Sequence, residues 1–441
     1  MNDKIISKVE KIMMPIAAKI SSNKYLLAMR DSFSTILPFM IVGSFFGIIS
    51  WVVLDPSGTI MGSLGLNLGK KITGLTGEAY LASSFVGMLT KGQQLCSLIT
   101  TIGFDLFSLF LVIAFSYRLG GIWGGDKFTT AMAGVASFFI LTPQKVGDVG
   151  AFSTAYFGNK SVLTAIIVST VASWMFIKLS KNEKLTIKMP DSVPPAVAQS
   201  FAALIPVLIT LGAFALFSAI LIWTSQPALN DLIYAAIQAP LMGFSQGIGF
   251  SLLYQFIVWF FWWFGIHGHN VTAAIQNSIY VPAQLANQTG EASYIFTDGF
   301  FAMSLMHIMG LVIAIFVFSK KEDLRAVAKV GGPAMIFNIQ EPLAFGLPIV
   351  LNPMLFIPYI LAPIANTIIG WLLISSGLVP VIKFVVPWTM PLFFNGLIAT
   401  GSIMGGVLQL IYLAIDFVIY APFVIAMNKT KDLDQSETQT A

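Results

Sequence analysis

The sequence predicts an all-α polytopic membrane protein, and three observations carry that expectation. Charged residues make up only 10% of the 441 residues while apolar residues make up 56%, and a water-facing surface ordinarily needs ~25% charge. Mean hydropathy is +0.82. The apolar residues also gather in runs of roughly 20, the length that crosses a ~30 Å hydrocarbon core as a helix. A single soluble domain, a nucleic-acid binder and a disordered chain are excluded together. Cys96 is the one cysteine, so neither a disulfide framework nor a Cys-based metal cluster can form within the chain. Neither a metal nor a cofactor is expected.

Taken in order, the first element is amphipathic. Ile5, Val9, Ile12, Ile16 and Ile20 recur at helical spacing with lysines between them, as in a helix lying on an anionic leaflet. Lys4, Lys8, Lys11, Lys19, Lys24 and Arg30 precede the first long apolar run, 33–54, and this positive bias places the N-terminus in the cytoplasm. Further runs follow at 97–117, 128–142 (a short one), 162–179 and 196–223. Lys178, Lys181, Lys184 and Lys188 close the fourth, and Lys429 and Lys431 follow the last. The C-terminus is therefore expected in the cytoplasm too, with an even number of spans.

The proline-rich stretch 189–195, with Pro190, Pro194 and Pro195, is the candidate linker. It divides the chain into an N-terminal membrane half, 1–188, a C-terminal membrane half, 189–428, and a polar tail, 429–441. From Met189 to Ser319 there is no Lys or Arg, and between Val330 and Ile415 the charged residues are Glu341 and Lys383 alone. Spans are expected there over 247–264, 300–318, 354–375 and 396–427. Between them lie two interrupted apolar segments, 265–288 and 331–353. Ionisable groups inside such a neutral body are the candidates for function.

The first constellation is Phe264-Gly265-Ile266-His267-Gly268-His269-Asn270, after the aromatic run from Trp259, continuing to Gln276 and Asn277. A histidine between glycines at membrane depth needs a partner or a cavity, because lipid offers its ring nitrogens nothing to bond. The bland alternative is that His267 and His269 bond only neighbouring backbone in an interfacial loop. His307, alone on an apolar helix face, reads as a packed, satisfied residue.

The second constellation runs from Gly331 to Pro353 and holds Asn338-Ile339-Gln340-Glu341-Pro342. Pro333, Pro342 and Pro348 oppose one continuous helix, and Pro342 is expected to push Glu341 toward extended backbone. A re-entrant hairpin solves the conflict, with Asn338, Gln340 and Glu341 at its broken tip. A His, a carboxylate and several amides, with no accessible positive charge, describe a site for a neutral, hydroxyl-rich ligand. A sugar fits best, since amides both donate and accept and a carboxylate accepts a hydroxyl proton. Trp388, in Pro387-Trp388-Thr389, is the candidate face for a sugar ring, with interfacial anchoring as its alternative.

These segments resemble enzyme IIC, the membrane subunit of the bacterial phosphoenolpyruvate-dependent sugar phosphotransferase system, in its lactose, cellobiose and diacetylchitobiose group. The resemblance rests on Asn338-Ile339-Gln340-Glu341-Pro342, Gly265-Ile266-His267-Gly268 and Pro387-Trp388-Thr389, and it extends over essentially the whole chain. It implies about ten transmembrane helices plus two re-entrant hairpins, the tenth span falling near 377–394. It further implies a homodimer formed by the N-terminal half and a sugar site in the C-terminal half. A β-linked disaccharide such as cellobiose or diacetylchitobiose would bind through His267, His269, Asn270, Gln276, Asn277, Asn338, Gln340, Glu341 and Trp388. Its C6 hydroxyl would be held near His267 and Glu341, the two residues of the catalytic role, while a separate phosphocysteine subunit, enzyme IIB, recharged by enzyme IIA, supplies the phosphoryl group. The chain itself would carry no phosphorylated residue. The rival is a proton-coupled secondary sugar transporter in which Glu341, His267, Asp105 and Asp416 relay protons.

Overall fold

The computed structural model describes residues 22–428, apart from 59, 63–65, 147–148, 191 and 348. The amphipathic helix expected over 5–20 and the tail from 429 lie outside the described residues. Among the described residues the protein is helical, as expected; a single pair of two-residue strands, Lys145–Val146 and Val149–Gly150, is the exception. Among the described residues seven helices are long and apolar enough to cross a membrane. The chain packs as two compact units, one of Ser21–Phe244 with Ala273–Ala292, the other of Ser245–Thr272 with the chain from Ser293 onward.

The first unit is built on α1 (Lys24–Ile48), α2 (Ser84–Phe104), α3 (Phe107–Ile122), α4 (Lys127–Leu141), α5 (Val162–Ser180) and α6 (Pro195–Trp223). The Asn23 side chain caps α1 by accepting from the Tyr25 and Leu26 amides, and Asp126 caps α4 through Thr129, which supplies partners for amides the helix itself cannot satisfy. α3, α4 and α5 pack together around Leu111, Phe115, Phe138, Ala165 and Ala172, all fully buried. Ser116, Ser137, Ser169 and Ser173 are buried among them, and small side chains of this kind let membrane helices approach closely. Cys96 is buried on α2, consistent with a small apolar packing role. The expected span 97–117 is interrupted at Asp105 and Leu106, between α2 and α3.

α6 begins where the proline linker ends, with Pro195 at a position whose missing amide costs nothing. It packs against α4 and α5, so the compact division falls well beyond that linker, at Phe244 and Ser245. Only 17% of its most apolar stretch is buried, against 67% for Asp298–Phe318. The helix Val281–Thr289 also belongs to this unit, and Gln288 donates from it to Ser44 of α1 at 3.3 Å.

The second unit contains α7 (Ile248–Trp263), α8 (Gly268–Val271), α9 (His307–Phe318), α10 (Glu322–Met335), α11 (Glu341–Gly346), α12 (Pro353–Ser375), α13 (Phe394–Thr400) and α14 (Ile403–Met427). α14 packs against α9, α12 and α13, and α12 also packs against α7. The expected span 396–427 is therefore two helices. Gly396 and Gly405 lie backbone to backbone across α13 and α14, each in the place where the other's Cβ would sit. Gln409 closes this contact, accepting from the Gly396 amide at 2.7 Å and donating to the Met303 carbonyl at 3.2 Å.

Residues 377–393, where a tenth span was expected, form no helix. Pro380, Pro387 and Pro391 remove three amides there and Gly377 has φ +76°, so a helical ladder cannot run through. The strap is held instead by the Lys383 and Phe384 amides, which both donate to the Ala399 carbonyl. Gly405→Ala should destabilise the second unit by about 1–3 kcal/mol, as overpacking does, lowering the thermal midpoint of the detergent-solubilised protein. An unchanged midpoint would show that the helices can move apart freely.

Candidate functional site

The histidine constellation forms at the end of α7. The chain leaves that helix at Phe264, reverses, and re-enters helix at α8, where the His267 side chain is the cap: its Nδ1 accepts from the Asn270 amide at 3.3 Å. Gly268 permits the turn, because a Cβ there would overlap the Val258 carbonyl oxygen of α7. His269, one residue further, receives the indole N–H of Trp262 on Nδ1 at 3.1 Å. The Trp262 ring also lies 4.4 Å from the His267 ring, tilted by 46°. One α7 side chain therefore positions both imidazoles.

These bonds determine where the ring protons sit. An indole N–H and a backbone amide can only donate, so the nitrogen receiving each must hold a lone pair, and in a neutral imidazole the proton is then on Nε2. His267 and His269 are both assigned the Nε2–H form by this network. His267 and Asn270 are exposed and His269 is half-buried.

Behind it lies a buried polar chain. Trp259 donates to the Gln255 side-chain oxygen at 3.0 Å, and the Gln255 amide donates to Ser304 at 3.0 Å and Thr367 at 3.2 Å. His307 packs 4.2 Å from the Trp259 ring and pairs through Nδ1 with the Tyr420 hydroxyl at 2.9 Å. It is packed, as expected, but only half satisfied: its Nε2 meets no hydrogen-bond partner among the described residues.

The second constellation is a helical hairpin. α10 ends at Met335, residues 336–340 turn, and α11 packs back against α10. Asn338 makes the reversal with φ +59°, a left-handed conformation Asn tolerates better than most residues. It is buried, and its side-chain amide donates to the Trp388 carbonyl at 2.9 Å. Trp388 itself is half-exposed. Gln340 is buried with its side-chain oxygen unpaired among the described residues. Glu341 does not take the extended backbone expected of a residue before proline: it is the first residue of α11, with Pro342 in the opening turn. Proline is tolerated there because the helix has no acceptor for its missing amide. The Glu341 side chain lies outside the described atoms.

The hairpin's return arm is tied to the histidine segment's helix. The Leu351 amide donates to the Trp263 carbonyl at 2.9 Å, and the Trp263 indole donates to the Asn352 carbonyl at 3.0 Å. Trp262 and Trp263 were legible in the sequence only as part of an aromatic run; their fixed distance from the Gly265 turn was the available signal. Gln276 and Asn277 fall in the segment 273–292 of the first unit, within a π-helical turn, Gln276–Tyr280, with Asn277 buried. The members of the rival proton relay also belong to different units. Asp105 belongs to the first unit, and Asp416 is buried in the second with both carboxylate oxygens taken by the Asn366 amide, at 3.0 and 3.2 Å. Among the described residues no group of three His, Cys, Asp or Glu could hold a metal.

Long apolar helices and a broken hairpin whose tip carries amides are features of a multi-pass membrane protein. The comparisons with known proteins give its class. Residues 30–363 match the model of the family described as "Phosphotransferase system, EIIC". The oligo-beta-mannoside-specific EIIC component of Bacillus subtilis (strain 168) is 34% identical, over 99% of this chain and 98% of its own length. The cellobiose-specific EIIC component of Lactococcus lactis subsp. lactis (strain IL1403) is 33% identical, over 98% and 99%. The crystal structure of ChbC, the IIC component of the N,N'-diacetylchitobiose-specific system, superposes with a TM-score of 0.82 at 27% identity, covering 96% of this chain and 97% of that one. The chain belongs to the EIIC family, the sugar permeases of the phosphotransferase system. It is a multi-pass protein of the cell membrane whose partners are the EIIB and EIIA components.

Trp262→Phe keeps the ring but removes the donor that holds His269. A hydrogen bond of this kind contributes about 1 kcal/mol, so without it the His269 ring-nitrogen NMR signals should show a mixture of tautomers. An unchanged spectrum would remove Trp262 from the positioning of the imidazole.

Proposed function

We propose that this permease imports a β-linked disaccharide of the cellobiose or diacetylchitobiose type and presents its C6 hydroxyl for phosphorylation by a separate phosphocysteine enzyme IIB. The observation that carries the reading is the pair of Nε2–H imidazoles held by Trp262 and the Asn270 amide. Such groups donate to sugar oxygens, and a neutral ring whose outer nitrogen already holds a proton is not the base. That role falls to Glu341, at the start of α11. The relatives named for oligo-beta-mannoside, cellobiose and N,N'-diacetylchitobiose support a β-linked disaccharide as the cargo.

In the reaction the C6 oxygen attacks the phosphorus of the phosphocysteine, the P–S bond breaks, and the thiolate leaves with its electron pair. A sugar hydroxyl is a poor nucleophile at neutral pH, and a carboxylate within hydrogen-bond reach orients it and accepts its proton as the P–O bond forms. Asn338, Gln340 and Asn270 supply amides for the remaining hydroxyls, and Trp388 an aromatic face. The product is dianionic. A stretch without Lys or Arg from Met189 to Ser319 offers it no counter-charge, which favours release and makes import directional. We place both termini in the cytoplasm on the distribution of Lys and Arg, and we assign the contact between two copies in a homodimer to the N-terminal half, 1–188.

Glu341→Gln should keep measurable sugar binding, because the amide still bonds hydroxyls, while losing most sugar phosphorylation; His267→Ala should weaken both. Full phosphotransfer by Glu341→Gln would remove the carboxylate from the reaction. In proteoliposomes, accumulation should require phosphoenolpyruvate with the soluble phosphocarriers, yield the sugar phosphate and survive an uncoupler. Free sugar accumulating in an uncoupler-sensitive way would instead support the proton-coupled alternative.

A further inference from the structure

One end of the first unit's helical bundle carries Lys24, Arg30, Arg118, Lys127 and Lys181. α1 begins there at Lys24, α3 ends there at Ile122, α4 begins there at Lys127, and Lys181 reaches the Trp123 carbonyl from the end of α5. A cleft of about 380 Å³ opens among the ends of α1, α3 and α4. Lys24, Arg118, Lys127 and Asp31 carry its charge, and Leu27 and Ile122 its apolar wall.

The carboxylate does not neutralise the cleft. Asp31 is already held by the Arg30 guanidinium, at 2.7 and 2.9 Å, and lies 4.0 Å from Arg118. Arg118 is in turn anchored on α1, donating to the Thr35 hydroxyl at 2.8 Å and the Asp31 carbonyl at 3.2 Å, so its position is set before any ligand arrives. Lys24 and Lys127 are exposed, and among the described residues neither is in an ion pair. The nearby Asp126 remains an anion, since the side chain and amide of Thr129 hold its carboxyl below the ordinary range. With Arg30 counted, cations still outnumber carboxylates around the cleft. Helices both start and end here, so their dipoles oppose one another and the side chains decide the potential.

The cleft also has an apolar continuation. Tyr117 and Ile113 lie one turn apart along α3, and Phe128 and Met132 one turn apart along α4, all leading away from the basic end and all 43–69% exposed. Free phosphate has no use for such a surface, whereas an acyl chain does.

We propose that this cleft binds the phosphate of an anionic phospholipid, with Lys24 and Lys127 closing on the headgroup beside the anchored Arg118 and the acyl chains lying along α3 and α4. Juxtamembrane basic groups attract anionic headgroups, and fixed guanidinium geometry suits phosphate oxygens. The ligand is a structural lipid, independent of the sugar site.

The test is native mass spectrometry of the full chain in mild detergent, titrated with phosphatidylglycerol, phosphatidylcholine or inorganic phosphate. Phosphatidylglycerol adducts should be retained about tenfold better than phosphatidylcholine, and Lys24→Gln with Lys127→Gln should abolish that preference while leaving sugar binding intact. If the double variant fails to fold, Lys127→Gln alone should lose about threefold. Equal retention of the two lipids, equal retention by the variant, or displacement of phosphatidylglycerol by millimolar phosphate would overturn the proposal.

Discussion

Hydrocarbon offers a polypeptide no hydrogen-bond partners, so wherever the helical ladder of this protein is broken, protein groups have to close the break. The reversals around the two constellations show how this is done. The Trp263 carbonyl and indole take up the Leu351 amide and the Asn352 carbonyl. The Asn338 side chain takes up the carbonyl of Trp388. Ala399 serves two amides of the strap at once. The residues that make the hairpin possible are therefore largely the ones that hold it in place, and polar groups at its tip follow from the same constraint.

The same economy governs the imidazoles. Trp262 fixes one ring by a hydrogen bond and lies against the other, while the backbone of α8 fixes the second through Asn270. Because both partners are donors, each neutral ring carries its proton on Nε2. The division of labour with Glu341 then rests on chemistry, with donors on one segment and an acceptor at the head of another. Buried polar groups deeper in the unit, from Gln255 to Asp416, are spent on one another and on packing.

Charge placement separates two demands on one chain. Lys24, Arg30, Arg118 and Lys127 lie together at one end of the first unit, where ion pairs and water can reach them. The sugar-binding half is left almost neutral, which suits an uncharged cargo and disfavours its phosphorylated product. Exposed apolar helices such as α6 complete the pattern, since in a membrane such a surface meets lipid or a second copy without cost.

Much of this was legible from residues alone. Hydropathy runs located α1, α5, α6, α12 and α14 because a membrane helix must be apolar over its whole length, and the prolines and glycines of 331–353 announced a hairpin because they cannot continue a helix. The strap at 377–393 was misjudged from the expected number of spans, although its own prolines argued against a helix. Glu341 was expected to be extended because the rule for a residue before proline is local, and it gave way to the tertiary contact that seats α11 on α10. What the sequence determined by itself was the solvent this protein lives in, its helical class and the segments rich in chemistry, since these depend on composition and local backbone preference. Which nitrogen of each histidine carries the proton, which tryptophan holds it, and that Gln276 packs with a different unit from His267 were decided only by the tertiary structure, because they depend on which distant groups meet across helices.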